Sequence, residues 1–358
     1  MASLTEISIV SRKIIRYGIY AIILIVIARY AFIAGVSIYK KLFPAPPPEP
    51  TVAFGKLPSI PFPEKEAKKG LNFTLETPDG KLPAFPDQLE VYFMPPIASD
   101  IKVVDAAREK AQKLEFDSAG KPIVESIQNV YIFPKRNVPS TLTMNIITGV
   151  FSISYDINAN PSVLNGIVPE PKTMITDVRS YFSSVASQEG SDDINKGIAT
   201  YELLRVDAGK FVKVDALSDA DLIKVNLFRE NWGSKKDIVN VTPEMPEANI
   251  WAIVAPNRTY IAAEYHYFPI DKGKLGTYPI KGADEAWEDL KSGKSFIANL
   301  GSSGKDDIKI RRVYLAYYDS GAYTEFYQPV FVFEGDGGFY GYVPAVKSEF
   351  YGAEKEKK

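Results

Sequence analysis

Few residues in this chain could do chemistry. His266 is the single histidine, and cysteine is absent. That removes a thiolate nucleophile, a disulfide framework and any cysteine metal site. His266 stands in the alternating run Glu264-Tyr265-His266-Tyr267-Phe268, which reads as a strand. One histidine could hold a metal only with carboxylates around it, and no HExxH-type spacing exists. A serine–histidine–carboxylate triad would have to recruit His266, and no G-x-S-x-G elbow precedes it. Ser302, in Gly301-Ser302-Ser303-Gly304, reads as part of a flexible loop rather than as a nucleophile.

Carboxylates are the remaining candidates. They pair at Asp192-Asp193, Asp219/Asp221 and Asp306-Asp307, an arrangement that invites glycan hydrolysis or calcium binding. Adjacent acids on a strand point to opposite faces. None of these pairs shows the D-x-D-x-D-G calcium loop with its distal glutamate. Solvated turns and helix caps are the expected roles, with Asp219 and Asp221 placed for capping. The glycines between Gly335 and Gly341 lack the Lys-Ser/Thr of a phosphate loop, so they read as a turn. Three triplets match glycosylation sequons: Asn72-Phe73-Thr74, Asn240-Val241-Thr242 and Asn257-Arg258-Thr259. The expectation is a non-enzymatic protein with no catalytic residues, cofactor or metal.

One cluster suits recognition instead. Tyr314, Tyr317, Tyr318, Tyr323, Phe326 and Tyr327 crowd a short stretch beside Arg311 and Arg312. Aromatics with arginine are typical of interaction surfaces. Arg311, Arg312, Tyr317, Tyr323, Phe326 and Tyr327 are therefore the expected partner-binding surface, which could hold a peptide strand by edge addition. The alternative is that alternate aromatics fill the core of a sheet.

All of this hangs from one segment, Ile14 to Tyr39. From Tyr17 to Tyr39 a helix would extend roughly 34 Å, enough for a hydrocarbon core of about 30 Å. Arg29 lies near its centre, where a cation costs about 2.5–3.5 kcal/mol on insertion scales. It either snorkels to an interface or meets a polar group on a partner helix. Ala31 and Gly35, four apart, form a small-residue notch that would let such a helix approach. A cleaved signal peptide fits less well, because the apolar run is long, carries Arg29 and lacks an A-x-A site. Arg12, Lys13 and Arg16 precede the span and Lys40 and Lys41 follow it, which favours an inside N-terminus. The body is then expected outside the cytoplasm.

Composition bounds that body. Six basic residues against one acid through Lys41 leave a net charge of −7 on the rest of a chain whose total is −2. An acidic body without a basic cluster argues against nucleic acid as a partner. The 21 tyrosines and 20 phenylalanines suit a β-rich fold. The expected class is α+β: a transmembrane helix, a proline-rich stem, then repeated helix-plus-antiparallel-sheet modules.

The expected boundaries run in order along the chain. Residues 1–13 form a cytoplasmic N-terminus, 14–43 the membrane helix and 44–70 the stem. The stem contains Pro44, Pro46, Pro47, Pro48 and Pro50, which favour an extended spacer. Val52, Phe54, Leu57, Ile60 and Phe62 could instead lay part of it along the body as a strap. A first module (71–165) has strands at Leu71–Glu76 and Leu89–Phe93, with Pro78-Asp79-Gly80 supplying turn chemistry between them. It continues with a helix over Ile101–Leu114, capped by Ser99 or Asp100, and three strands. A second module (166–280) opens with an amphipathic helix over Thr173–Val185, followed by hairpins. The third (281–350) has a helix holding Ala286, Trp287 and Leu290, stopped at Ser292-Gly293, then a long strand at Ile308–Tyr318 and a hairpin. A charged tail, 351–358, ends the sequence.

The last unit, AWEDLKSGKSFIA followed by IKIRRVYLAYYDSGAYTEFYQPVFVFEGDGGFYGYVPAV, resembles the modules of PepSY-like and YycH/YycI-type extracytoplasmic regions. Gly293 after the helix, the strand at Val313–Tyr318 and the strand at Gln328–Phe333 carry the resemblance, which covers about 75 residues. Phe331 stands where such modules often have tryptophan. The resemblance implies regulatory or inhibitory binding by a body on a single membrane helix. The anchor and proline tract are also similar to those of bacterial envelope proteins.

The leading expectation is a single-pass cell-envelope protein whose partners are the lipid bilayer, another membrane or envelope protein, or a second copy of itself. The rivals are an envelope hydrolase using paired carboxylates and a passive membrane scaffold.

Overall fold

The computed structural model describes residues 4–42, 48–65, 70–97, 102–124, 127–233, 235–302 and 306–350. The expected cap at Ser99 or Asp100, the prolines at 44, 46 and 47, and the charged tail lie outside the described residues. Two compact units result, Met1–Glu49 and Pro50–Lys358.

The first unit is one helix, α1 (Leu4–Leu42). Its stretch Arg12–Tyr39 is long and apolar enough to cross a membrane, and its side chains are exposed along the whole stretch.

The second unit contains three sheets. Its largest has nine antiparallel strands. One half is a meander of β3 (Lys121–Val124), β4 (Ile127–Pro134), β5 (Ser140–Asn145) and β6 (Phe151–Tyr155). The other half holds β7 (Ala199–Asp207), β8 (Lys210–Val214), β9 (Leu222–Leu227), β11 (Ile250–Val254) and β12 (Tyr260–Tyr265). The halves join where β6 pairs with β12, Phe151 opposite Tyr265.

Helices α2 (Val103–Lys113), α3 (Pro171–Ser183) and α4 (Gln188–Lys196) contribute to one core with this sheet. Ala107 and Ala111 of α2, Met174, Val178 and Phe182 of α3, and Ile194 of α4 pack with Phe133, Phe151, Val225 and Tyr265. The expected boundary at residue 165 therefore cuts through one sheet and one core. Each half leaves an apolar edge that the other covers, so the local reading divided what long-range pairing joins.

A six-stranded sheet is built mainly from the end of the chain. Its order is β1 (Asn72–Leu75), β15 (Asp307–Tyr318), β17 (Pro329–Gly335), β18 (Phe339–Pro344) and β14 (Phe296–Leu300). The short β10 (Val239–Val241) runs parallel to the far end of β15. The third sheet sets β2 (Gln88–Phe93) between β13 (Asp271–Pro279) and β16 (Phe326–Tyr327).

The strands read at Leu71–Glu76 and Leu89–Phe93 both form, as β1 and β2, but they do not pair with each other. β1 runs parallel to β15 and β2 pairs with β13 and β16. Turn chemistry at Pro78-Asp79-Gly80 was a sound local signal, but β1 covers the β15 edge and β2 buries Val91 and Tyr92 against distant segments.

Residues 50–65 belong to this unit, so the expected stem boundary at residue 70 is corrected. Leu57 is fully buried, Ile60 nearly so. The Val52 N–H donates to the Thr277 carbonyl at 3.0 Å and Gln328 donates to the Pro58 carbonyl at 3.0 Å. Apolar side chains at that spacing bury area worth about 1.5–3 kcal/mol each, which a free spacer would forgo.

Helix α5 (Ala283–Lys291) covers the six-stranded sheet near β18. Ala286 and Leu290 face the core, and Trp287 packs 5.8 Å from Phe333, centroid to centroid.

Candidate functional site

Within the second unit, the residues singled out from the sequence are not brought together into one site. Arg29, Ala31 and Gly35 lie along α1 with exposed side chains, and nothing comes within 4 Å of a Cβ placed on Gly35.

The expected aromatic–arginine surface is corrected. Tyr317, Tyr327 and Phe326 are buried, at 0%, 1% and 9% exposure. The Tyr317 and Tyr327 rings stack 5.2 Å apart, and both pack against Trp232. On β15 the long apolar run is covered on both faces, so alternation hides the tyrosines instead of displaying them. Burial pushes the Tyr317 and Tyr327 phenols well above their ordinary pKa.

Arg311, Arg312 and Tyr323 remain at the surface. Arg311 makes a two-pronged contact with Asp336, at 2.7 and 2.8 Å, and meets Glu76 at 2.8 Å. Arg312 reaches Glu334 at 3.2 Å. Both guanidinium groups therefore brace strand ends within the chain.

The paired acids separate as well. Asp192 is half-exposed and bound to Lys196 one helical turn on, at 2.9 Å. Asp193 is buried, which corrects its expected place in a solvated turn. Its position follows from α4, a helix that the sequence reading passed over. Ser187 caps α4 by accepting the Gly190 N–H at 3.2 Å, and the helix turns consecutive acids to different faces.

Asp193 belongs to a buried charged cluster at the meeting of several elements. The Arg229 guanidinium donates to Asp319 at 2.7 Å, to Asp193 at 3.2 Å and to the Phe268 carbonyl at 2.7 Å. The Tyr267 hydroxyl and Lys272 ammonium donate to the same aspartate at 3.0 and 3.2 Å. Burial opposes the charge on Arg229, but Asp319 and its neighbours outweigh it and hold the proton more tightly than usual.

Asn240 extends the cluster, accepting from Trp232 at 2.8 Å and from the Tyr327 hydroxyl at 2.6 Å. Its amide donates to the Arg229 carbonyl at 3.0 Å, so the sequon at Asn240 is closed to glycan attachment. Every strong partner in this cluster is internal, and its chemistry is that of a keystone. Arg229 sits in a sequence stretch, Leu227-Phe228-Arg229-Glu230, whose one signal was a charge directly after an apolar strand.

His266 bridges two segments. Its Nε2 lies 3.0 Å from a Glu264 carboxylate oxygen and its Nδ1 lies 3.1 Å from the Gly321 carbonyl. Two acceptors favour the doubly protonated ring. The Glu264 hydrogen bond, opposed by partial burial, raises its pKa above the usual value.

A raised folded pKa gives stability that is complete below about pH 6.5, the unfolded value, and lost as pH rises through the folded one. Thermal midpoints from pH 6 to 8.5 should therefore fall more in the native protein than in His266→Gln. Parallel curves would show that the ring does not titrate in this window.

Recognition geometry appears instead around α5. One cleft of about 660 Å³ lies between the loop bearing Lys81, Leu82 and Phe85 and the start of α5, where Ile280, Asp284 and Trp287 line it. A second, of about 610 Å³, is lined by Ile60, Phe62, Glu285, Asp289, Lys294 and Ser348. Helical spacing explains the division. Asp284 and Trp287, three apart, face the first cleft, while Glu285 and Asp289, four apart, face the second.

Lys281 lines both clefts, and its ammonium is held by Asp289 at 2.7 Å with both side chains largely withdrawn from water. That pairing fixes the wall between the clefts. Apolar and aromatic walls with a few charges at the rim suit the docking of a partner segment.

No protein-family model matches this chain, and neither does any curated protein. Among solved structures, an uncharacterized protein from Eubacterium rectale ATCC 33656 is 11% identical, with 77% of this chain and 88% of that chain covered. Its TM-score of 0.29 is too low for any inference about fold or function.

Proposed function

We propose that this chain is a single-pass membrane protein whose body, outside the cytoplasm, is a non-enzymatic binding or regulatory unit. The observation that carries the reading is α1, whose exposed apolar stretch Arg12–Tyr39 is long enough to span a bilayer. The clefts beside α5 are the surface proposed for a membrane or envelope protein partner.

The order of elements supports a regulatory comparison. Among the described residues a helical segment three times precedes antiparallel strands: α2 before β3–β6, α3 and α4 before β7–β9, β11 and β12, and α5 before β15, β17 and β18. This layout resembles PepSY-like and YycH/YycI-type regions, with the first two units sharing one sheet.

A photocrosslinker tests the binding surface. Placed at Lys81 or Trp287 in native membranes, it should capture one protein of defined mass. The same group at Lys172, exposed on α3, should not capture it. Equal capture from all three positions, or capture from Lys172 alone, would remove the α5 clefts as the docking surface.

A further inference from the structure

We propose that Lys110 is a reactive amine in a small cavity that takes an oxo acid, meaning a small carboxylate-bearing molecule with an aldehyde or ketone carbon. The site is separate from the α5 clefts and does not depend on the binding function proposed for them.

The placement begins with α2. Ala107 and Ala111 turn into the core, and Lys110, three residues after the first and one before the second, lies beside the same buried stripe. Its side chain is half-buried. A cavity of about 260 Å³ opens there between α2 and the turn that joins β5 to β6. Val103, Ala106, Met144 and Ile146 give it apolar walls, with Thr148 and Gly149 at the turn.

Gly149 has a φ of +71°, and a Cβ there would meet the Lys110 Nζ at 2.7 Å. Glycine therefore serves both the left-handed turn and the close approach of the amine.

The other withdrawn lysines show what is unusual. Lys281 has Asp289 at 2.7 Å and Lys135 has Glu115 at 2.9 Å. Lys224 is likewise paired with Glu247. The Lys110 Nζ has neither a carboxylate nor a hydrogen-bond partner among the described residues, and its charged neighbour is Lys113. Burial, and after it Lys113, disfavour the ammonium form. A partly buried amine beside another cation holds its proton less tightly than an ordinary lysine, which favours the nucleophilic form. Lys102, exposed at the rim, supplies the positive charge that a carboxylate would meet.

The step is imine formation. The neutral Nζ attacks the carbonyl carbon, and the oxygen takes up a proton to give a carbinolamine. Water then leaves, the nitrogen gives up its remaining proton, and a C=N bond stands where the C=O bond was. The sum is amine plus carbonyl giving imine plus water, with no oxidant or reductant.

The test treats the full chain in detergent with glyoxylate and cyanoborohydride, which reduces each imine to carboxymethyl-lysine, and maps the rates by peptide mass spectrometry. Lys110 should be labelled several-fold faster than the exposed Lys172 and Lys347. Formaldehyde, which has no carboxylate, should show a smaller preference for Lys110. Lys102→Ser, a surface change whose thermal midpoint serves as the folding control, should reduce the glyoxylate preference. Labelling of Lys110 no faster than that of Lys172 would overturn the proposal. Equal preference with both aldehydes, or an unchanged preference in Lys102→Ser, would overturn the assignment to oxo acids.

Discussion

Arg229→Met is expected to destabilise the body by about 3–5 kcal/mol, the range for removing one partner of a buried ion pair. Arg229 is nearly sealed from water, with Asp193 and Asp319 against it. Without the guanidinium, two carboxylates would face each other's surroundings with only Tyr267 and Lys272 to answer Asp193. The Phe268 carbonyl would also lose its donor. Lys272 is half exposed, so Lys272→Met should cost no more than about 1 kcal/mol. Urea denaturation of the full chain in detergent reads both. A midpoint for Arg229→Met as close to native as that of Lys272→Met would show that the cluster is not a keystone.

Tyr317→Ala should cost a comparable amount, about 3–5 kcal/mol, as for other large aromatics emptied from a core. The ring is fully buried among Tyr92, Trp232 and Tyr327, and its hydroxyl donates to the Glu90 carbonyl at 2.9 Å. Truncation would leave a cavity and an acceptor without its donor. Tyr323 is 41% exposed, so Tyr323→Ala should stay within about 0.5 kcal/mol. The same denaturation measurement separates them. A small effect at Tyr317 would mean that the stacked tyrosines are dispensable, and would reopen the reading of this segment as a surface.

The contrast between these two tyrosines shows how far the sequence could be read. Strand positions were legible wherever alternation met a turn. Thr148-Gly149 and Asp207-Ala208-Gly209 are turn residues between apolar runs, a local mark of a hairpin, and the β5–β6 and β7–β8 pairings form around them. Helices with an apolar stripe were equally legible, as at Met174, Val178 and Phe182.

Partnership over long separations was not. Nothing local in Asn72–Leu75 points to Asp307–Ile310, its parallel partner. α4 was missed because its run, Gln188–Lys196, is polar apart from Ile194, and the helix is fixed by a serine cap and by the burial of Asp193. The partner surface was misjudged for a related reason. Tyrosine and arginine look alike in sequence whether they serve an interface or a core, and only the second layer of packing decides between them.

The α5 clefts were half visible. Trp287 and the glycine stop at Gly293 marked the helix, but the facing walls come from residues 59–62 and 80–87, more than 190 positions away. Lys110 carried no signal at all, since its place beside the β5–β6 turn is set by packing between distant segments.

The most direct measurement of the central claim uses the absence of native cysteine as a clean background. Lys172→Cys, on the exposed face of α3, and Ser11→Cys, before the apolar stretch of α1, are treated separately in intact cells with a membrane-impermeant maleimide. A body anchored outside the cytoplasm predicts labelling at position 172 in intact cells and at position 11 only after lysis. Labelling at 11 but not at 172 before lysis, or recovery of the unlabelled protein in the soluble fraction, would contradict it.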